Sequence, residues 1–395
     1  MYQQPDPYPF AAPLAPAPLA PRRRRTGLAV GATALAAAAA IVAVGVSGGH
    51  AQVVNGQGRT VQTGPAMDRQ GGRNQVPNGS NSTPGRSSPA AGTASAAQQI
   101  GVVDINTVLQ YRGARAAGTG MVLTSSGEIL TNNHVVEGAT SISVQVVTTG
   151  RTYKATVVGT APTKDVAVLQ LQNASGLQVA NLGSSTGLQV GAAVTGVGNA
   201  GGAGGTPSAA AGTIIALDQA LTASDENGQN AERLTGMIET DAQIQAGDSG
   251  GPLFDSANEV IGMDTAASSR AVGTPVGFAI PIGTATAVAD QIEAGHASAT
   301  IHIGYPGFLG VSIADSSTGS GALVQSVVAT GPAAKAGIGA GDVITSIGGT
   351  ATGSSTALRA AVGAHRPGQS VAVTWLDSSG QTHHASVTLI AGPAD

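Results

Sequence analysis

The sequence contains no cysteine. This absence excludes disulfide bonds, a cysteine nucleophile and thiolate metal ligands, and it leaves the redox compartment open. Aromatic residues make up only 3% of the chain, so the hydrophobic cores must be built from Val, Ile, Leu and Ala. Charged residues are also few, at 10%, and the net charge is −4 at pH 7. This balance argues against a nucleic acid or an acidic surface as a partner.

Glycine, in contrast, is abundant, with 58 of the 395 residues, a length that suits about two domains plus further segments. From Ile100 onward, short β-rich runs alternate with glycine turns, which is typical of an all-β protein. The runs form two sets, which predicts two six-stranded barrels followed by one helix over 283–294. The first set is 102–109, 119–124, 129–132, 141–147, 153–159 and 166–171, and the second is 189–197, 208–217, 236–240, 253–254, 260–264 and 276–280.

One glycine-rich stretch carries a chemical signature, G-D-S-G-G-P at 247–252. Gly247 can adopt backbone angles that a side chain forbids, so its N–H can turn inward beside that of Ser249. Two such N–H groups form an oxyanion hole, which acyl transfer requires. Gly250 and Gly251 would keep bulk away from Ser249 as the nucleophile. The alternative is an ordinary glycine-rich turn with an exposed serine, which six matching positions in a row disfavour.

A nucleophilic serine needs a base and a group that orients the base. Upstream, the run L-T-N-N-H-V-V places His134 at the end of a predicted strand, and Asp165 opens the apolar strand at 166–171. Taken alone, a histidine or an aspartate in such a position more often has a structural role than a catalytic one. The order His, Asp, Ser is that of two-barrel serine proteases rather than subtilisin or the α/β-hydrolases. We therefore predict that Ser249 attacks a carbonyl, His134 transfers the proton and Asp165 orients the imidazole.

The motifs T-N-N-H-V-V, D-V-A-V-L and T-D-A-Q-I-Q-A-G-D-S-G-G-P resemble those of the HtrA/Deg family of secreted serine proteases. Within that family, the segments 103–107, 118–120 and 198–202 resemble the mycobacterial PepA-type proteases. The resemblance covers the chain from about Ile100 to its C-terminus. It implies a chymotrypsin-like double β-barrel at 99–295 that cleaves misfolded or unfolded extracytoplasmic proteins without a cofactor.

Relatives in this family are typically trimers, often through aromatic residues near the start of the protease domain. Here Tyr111 is the nearest aromatic residue, so a homotrimer and a monomer both stay open. No metal site is predicted. His383 and His384 are neighbours on a predicted strand and therefore point to opposite faces.

The resemblance also makes Ile244 the apolar lining residue of the specificity pocket, with Gln243 nearest to the position where an Asp would select Arg or Lys. We expect small or medium aliphatic residues at P1. One departure is Asp248, where most HtrA proteins carry Asn. In digestive relatives that Asp pairs with a newly cut N-terminus, which here would have to arise near Ile100. The alternative is that backbone N–H groups or a nearby cation hold Asp248.

The segment 303–391 is predicted to form a second domain. Its stretch G-F-L-G-V-S-I at 307–313 resembles the carboxylate-binding loop and second strand of a PDZ domain, and 331–338 and 341–344 are also typical. A helix over 356–363 and strands over 370–376 and 383–389 complete the pattern. Such a groove binds a peptide C-terminus by strand addition. The residues assigned to it are Phe308, Leu309, Gly310, Val311 and Leu358, although Phe308 and Val311 could instead belong to the core.

The N-terminal quarter of the chain has a different composition. Residues 1–25 are Pro- and Ala-rich and end in four arginines, which predicts a disordered cytoplasmic tail. The uncharged residues 26–47 are numerous enough to cross a membrane as a helix. We expect an uncleaved anchor that leaves the protease and PDZ domains outside the cell membrane. Signal-peptide cleavage and secretion is the alternative, although no clean A-x-A site is present. The composition of residues 48–98, which are mainly Gly, Ser, Asn, Gln and Pro, predicts a flexible stalk.

Three functions compete. The leading one is a membrane-anchored, HtrA-type serine endopeptidase whose PDZ groove selects substrate tails or regulates cleavage. The second is a chaperone or PDZ scaffold whose protease domain rests inactive because the oxyanion hole is unformed. The third, an esterase of another fold, is disfavoured by the His–Asp–Ser order. Substrate turnover, set beside binding by a Ser249→Ala variant, separates the first two.

Overall fold

The computed structural model describes residues 42–44, 92–224, 232–269, 275–316 and 320–394, and these are mainly β-strands. The predicted cytoplasmic tail lies outside these residues, as do most of the predicted anchor and stalk. Two short strands are described there, β1 (Val42–Val44) and β2 (Gly92–Thr93). No helix of the described segments is long and apolar enough to cross a membrane.

Both short strands differ from the prediction. Val42–Val44, placed in the anchor helix, instead pairs with residues 222–224, as suits a run with two β-branched valines. Gly92–Thr93, placed in the stalk, pairs with residues 208–209. Ala94, which follows, is buried in the main core. The stalk prediction is therefore wrong at its C-terminal end, because hydrogen bonds to the second barrel order this polar stretch.

Two antiparallel barrels of six strands each form the larger part of the described chain. The strands of the first are β3 (Val102–Leu109), β4 (Ala114–Val122), β5 (Glu128–Thr131), β6 (Ser141–Val146), β7 (Thr152–Ala161) and β8 (Val166–Leu171). Those of the second are β9 (Ala193–Gly198), β10 (Ser208–Ser224), β11 (Glu232–Thr240), β12 (Pro252–Phe254), β13 (Val260–Ser269) and β14 (Pro275–Pro281). Pairing of β7 with β8 closes the first barrel, and pairing of β9 with β10 closes the second. The predicted double barrel is confirmed.

Alternating apolar residues fill both barrels, as the strand period requires. Along β6, for example, Ile142, Val144 and Val146 point inward and are buried. The first barrel has its own core around Ile105, Ile129 and Leu169. A second, larger core joins residues of both barrels, and this shared core fixes the cleft in which the predicted site lies.

Helices are few among the described residues. A one-turn helix, α1 (Asn133–Val136), follows β5, and α2 (Ile282–Glu293) follows β14 and packs against both barrels through its apolar face. The helix predicted over 283–294 is confirmed. Short 3₁₀ turns lie at Gln110–Arg112, Pro162–Lys164 and Ala200–Gly202.

A smaller β domain follows the barrels. After β15 (His302–Ile303), which pairs with β7, the chain forms β16 (Gly307–Phe308), β17 (Val311–Asp315), β18 (Ala322–Val327), α3 (Pro332–Lys335), β19 (Val343–Ile347), β20 (Thr350–Ala351), α4 (Ser355–Gly363), β21 (Ser370–Leu376), β22 (Thr382–Thr388) and β23 (Ile390–Ala391). The sheet order is β17-β18-β19-β21-β22, and β16 pairs with β23. The Ser354 side chain caps α4 by accepting from the Ala357 N–H.

Candidate active site

His134 and Asp165 are brought together at the cleft by the ends of β5 and β8. The Asp165 carboxylate accepts the His134 backbone N–H at 3.0 Å, and Nδ1 of the His134 ring lies 3.0 Å from both of its oxygens. Asp165 is 2% exposed and has a left-handed backbone, with φ of 52°. The Asn132 side-chain amide donates to the Asp165 carbonyl at 2.9 Å. These contacts leave Nε2 of His134 as the ring nitrogen that is not engaged with Asp165.

The prediction that His134 ends a strand is wrong by a few residues. The strand ends at Thr131, and His134 lies in α1, whose other residues Asn133, Val135 and Val136 are buried. The other three residues of this helical turn face the protein interior. The side chain of His134 points the other way and is partly exposed, at 16%. The helix thereby aims the imidazole at the cleft.

Ser249 lies across the cleft, in a turn that requires glycine at two of its positions. Gly247 and Gly250 have φ of 98° and 86°, in the left-handed region. A Cβ atom at Gly247 would lie 2.2 Å from the Asn199 carbonyl oxygen, and one at Gly250 would lie 2.1 Å from the Thr119 carbonyl oxygen. Gly247 and Gly250 are therefore required by backbone shape and by the close approach of other chain segments.

Thr119 of the first barrel joins the nucleophile turn to the rest of the site. Its hydroxyl donates to the Gly247 carbonyl at 2.7 Å and accepts the Asn199 N–H at 2.9 Å. Its backbone N–H donates to the Ser249 carbonyl at 2.8 Å. Thr119 thus fixes the carbonyls of the two residues whose N–H groups were predicted to form the oxyanion hole. The sequence reasoning noted the G-T-G segment only as a point of resemblance.

Thr265 was not predicted as a site residue, yet it contacts both halves of the site. Its hydroxyl donates to Asp165 Oδ2, and its carbonyl accepts the Ser249 hydroxyl at 3.1 Å. The residue directly before it in β13, Asp264, accepts the Gly250 N–H at 2.7 Å through its carbonyl. No sequence signal singles out Thr265, because a hydroxyl residue in a strand carries no signature of such a contact.

Two buried acids lie behind the nucleophile turn. Asp248 is 2% exposed, accepts the Gln245 N–H at 2.9 Å and the Ser208 hydroxyl at 3.1 Å, and burial raises its pKa to about 6. Protein donors hold Asp248, which agrees with the alternative to pairing with a cut N-terminus. Asp264 is fully buried; burial foremost, and the charge of Asp248 next, raise its pKa well above the usual range.

The residues predicted for the specificity pocket lie just before this turn. Ile244 is 5% exposed and packs with Ala210 and Ala242. It also fills space left by Gly277, where a Cβ atom would lie 2.4 Å from Ile244 Cγ1. Gln243 is half-buried. The structure therefore places Ile244 against the strands beside the nucleophile turn, and its lining role stays a prediction.

The residues predicted for peptide binding divide into two groups. Leu309 and Leu358 are buried in the core of the smaller domain, so they support the groove by packing and offer little surface to a ligand. Phe308 and Val311 are half-buried, and Gly310 has φ of 82°. The Phe308 ring lies 5.0 Å from the ring of Tyr111 in the first barrel. Sequence reasoning associated Tyr111 with a trimer contact and did not foresee this pairing.

Two protein families match the chain. A trypsin-like peptidase domain matches residues 118–263, and a PDZ domain matches residues 307–389. The first match includes His134, Asp165 and Ser249. Fold and matches together define the class: a trypsin-like peptidase domain joined to a PDZ domain.

The chain is also similar to curated serine proteases. The serine protease PepD of Mycobacterium tuberculosis (strain ATCC 25618 / H37Rv) is 33% identical over 294 residues, which are 69% of this chain and 60% of PepD. The periplasmic serine endoprotease DegP of Escherichia coli (strain K12) is 34% identical over 258 residues, 63% of this chain and 52% of DegP. A solved structure of the HtrA-type protease AlgW with tripeptide is 30% identical, with a TM-score of 0.43, and the match covers 75% of this chain and 95% of that one. The chain is thus similar to serine proteases of the kind that the sequence motifs predicted. It spans 60% or less of the length of these two curated relatives.

Proposed function

We propose that the protein is a serine endopeptidase that cleaves unfolded or misfolded proteins outside the cytoplasm. The observation that carries this proposal is the pairing of His134 with Asp165, together with two contacts of Thr265. The Thr265 hydroxyl donates to Asp165, and the Thr265 carbonyl accepts the Ser249 hydroxyl.

In this mechanism, Ser249 Oγ attacks the scissile carbonyl while Nε2 of His134 accepts its proton. Asp165 holds Nδ1 as the protonated nitrogen and stabilises the imidazolium cation. The N–H groups of Gly247 and Ser249 stabilise the oxyanion, and Thr119 keeps the carbonyls of both residues turned away. His134 then protonates the leaving amine, and a water molecule releases the acyl group by the same steps in reverse.

A resting state is the second candidate, and one contact favours it. The Ser249 hydroxyl donates its proton to the Thr265 carbonyl at 3.1 Å. Since a hydroxyl has only one proton to donate, it must leave this carbonyl before His134 can accept it. A chaperone or PDZ scaffold with a resting protease site would keep this arrangement, whereas an active protease would change it as substrate binds.

The other parts of the chain have proposed roles in the same activity. Ile244 with Gln243 sets a preference for small aliphatic P1 residues. The groove between β17 and α4 binds peptide C-termini, with Phe308 to Val311 at the carboxylate. An N-terminal segment anchors the chain in the cell membrane, with the catalytic domain outside. DegP is named as periplasmic, which supports a catalytic domain outside the cytoplasm. The name gives no support for the anchor itself.

The test uses the full chain, a fluorophosphonate probe and unfolded casein. The wild type should be labelled and should cleave casein, and Ser249→Ala should do neither. Ser126→Ala, which changes a serine in an exposed turn, is the matched control and should behave as wild type. Casein binding without labelling or cleavage by the wild type would favour the scaffold function. Equal labelling of wild type and Ser249→Ala would exclude the proposed nucleophile.

A further inference from the structure

The last described residues of the chain leave the PDZ domain and bind the first barrel. We call residues 392–394 the strap. The Ala394 N–H donates to the Ala139 carbonyl at 3.0 Å, and the Gly138 N–H donates to the Ala394 carbonyl at 2.7 Å. Ala394 is 3% exposed and belongs to the core of the first barrel with Val136 and Ala139. The strap therefore contributes one buried residue and two backbone hydrogen bonds to the first barrel.

The position of the strap matters because of what precedes Gly138. The helix α1, which carries His134, ends in the turn Glu137–Ala139. Within this turn, the Glu137 N–H donates to the Asn133 carbonyl and the Ala139 N–H donates to the Val136 carbonyl, each at 2.9 Å. The Gly138 N–H and the Ala139 carbonyl point outward, and the strap bonds to both. Without the strap, two backbone polar groups next to a buried core would lose their partners.

The strap also continues directly from a strand of the PDZ domain. It follows β23, which pairs with β16, and the Gly392 N–H donates to the Pro306 carbonyl at 2.9 Å. The strand β16 contains Phe308, whose ring contacts Tyr111. The end of α1 is thus held by a segment whose other end is fixed to the PDZ domain.

We propose that Ala394 is a positioning residue for His134. Through its backbone N–H and carbonyl, it holds the end of α1 so that the imidazole keeps its place between Asp165 and the nucleophile. It contacts no substrate and no reacting atom. The proposal rests on the proposed function, since it assigns His134 the role of base. Displacements of about 1 Å at a catalytic group can lower rates by about 100-fold, so a contact at the end of a one-turn helix is sufficient.

The test compares three variants of the full chain. Ala394→Pro removes the N–H that bonds to Ala139, Ala394→Gly keeps both bonds and removes only the methyl group, and Ile390→Ala is a control on β23, where the side chain is 42% exposed. For Ala394→Pro, the rate of fluorophosphonate labelling should fall by about 10-fold or more, while KM for casein changes less than about 2-fold. Ile390→Ala should label at close to the wild-type rate, and Ala394→Gly should fall between Ile390→Ala and Ala394→Pro.

Labelling of Ala394→Pro at the wild-type rate would overturn the proposal, as would an equal slowing by Ile390→Ala. Urea unfolding checks that each variant is folded. If Ala394→Pro does not fold, Pro393→Gly takes its place: it keeps every donor but loosens the strap, so labelling should slow and the Gly138 amide should exchange faster. Unchanged labelling and exchange in Pro393→Gly would also overturn the proposal.

A failed proposed function gives a different result. In that case the wild type itself is not labelled. Hydrogen exchange at Gly138 and the NMR resonances of the His134 ring then still report the strap, because both respond to the end of α1 without any turnover. No change of either signal in Ala394→Pro would count against the strap alone.

Discussion

The two halves of the site are held in place by different kinds of structure. His134 and Asp165 are fixed by donors to one carboxylate: the His134 N–H, the imidazole and the Thr265 hydroxyl. Ser249 is fixed by backbone shape, in a turn where Gly247 and Gly250 have positive φ and no room for a side chain. Hydrogen bonds to an ionised group are among the strongest in proteins.

This difference teaches where the site can be adjusted. We call His134 with Asp165 the base half of the site, and Ser249 with its turn the nucleophile half. The base half depends on hydrogen bonds to a charged group and is already assembled. The nucleophile half depends on the path of the backbone and on which group accepts the hydrogen bond from the Ser249 hydroxyl. The acids behind the nucleophile turn, Asp248 and Asp264, both have raised pKa values, mainly because they are buried. A regulator that acts on this protein would therefore find its easiest target at the Ser249 half.

The largest effect is expected from Gly247→Ala. A Cβ atom there would meet the Asn199 carbonyl oxygen at 2.2 Å and would strain the positive φ, so the predicted oxyanion N–H should turn away. Labelling by the fluorophosphonate probe should slow by about 100-fold or more. The control is Gly150→Ala, which has the same type of φ, at 66°, but no atom within 4 Å of the added Cβ. Equal slowing in both variants would show that strain alone, and not the oxyanion site, causes the loss.

An intermediate effect is expected from Thr265→Val, which removes one hydrogen bond from the base half of the site. The variant keeps the Thr265 carbonyl but removes the hydroxyl that donates to Asp165. Loss of a hydrogen bond to a charged group costs about 1.5–3 kcal/mol, so casein turnover should fall by about 10-fold or more. Thr265→Ser restores the donor and should recover most of the rate. Turnover of Thr265→Val at the wild-type level would mean that the base half does not depend on this donor.

The smallest effect is expected from Asp104→Asn, on stability rather than on rate. Asp104 of β3 is 2% exposed, and burial raises its pKa from 3.8 to about 6, against a lowering by the Gly205 backbone. Its ionised form therefore destabilises the fold: this penalty is absent below pH 3.8, grows as the pH rises and is complete above pH 6.

Asp104→Asn should remove part of that penalty, because the amide is neutral but is still a buried polar group. Urea unfolding should show a gain of about 1 kcal/mol at about pH 7.5 and almost none at about pH 3.5. The comparison between the two pH values is the internal control. A gain that is the same at both would show that packing, and not charge, limits stability at this position.

Sequence reasoning succeeded where local pattern decides the structure. The strands Val102–Leu109 and Val166–Leu171 were predicted with their observed bounds, because their residues have high β-propensity and each run is bounded by turns. It was less accurate at β4, which begins at Ala114 rather than at the predicted 119. The stretch A-R-A-A-G has little intrinsic β-propensity, and pairing with β3 decides its structure instead.

The chemical groups of the candidate site were predictable from the sequence, and their catalytic roles stay a prediction, whereas the residues that support them were not predictable. Ser249, His134 and Asp165 follow from their order and motifs. Thr119 and Thr265 do not, since each acts through a partner 100 or more positions away, Gly247 and Asp165 respectively. A hydroxyl residue in a strand has no signature of such a contact, so only the folded chain could assign these two positions.

The short strand β15 has a practical consequence for how the protein can be divided. His302 and Ile303 pair with Thr160 and Gly159 of β7, and the Gly304 N–H donates to the Val158 carbonyl. A protease fragment that stops at residue 295 would lack these partners and present an open sheet edge, which is a template for association between chains. The stretch that joins the two domains therefore also covers an edge of the first barrel.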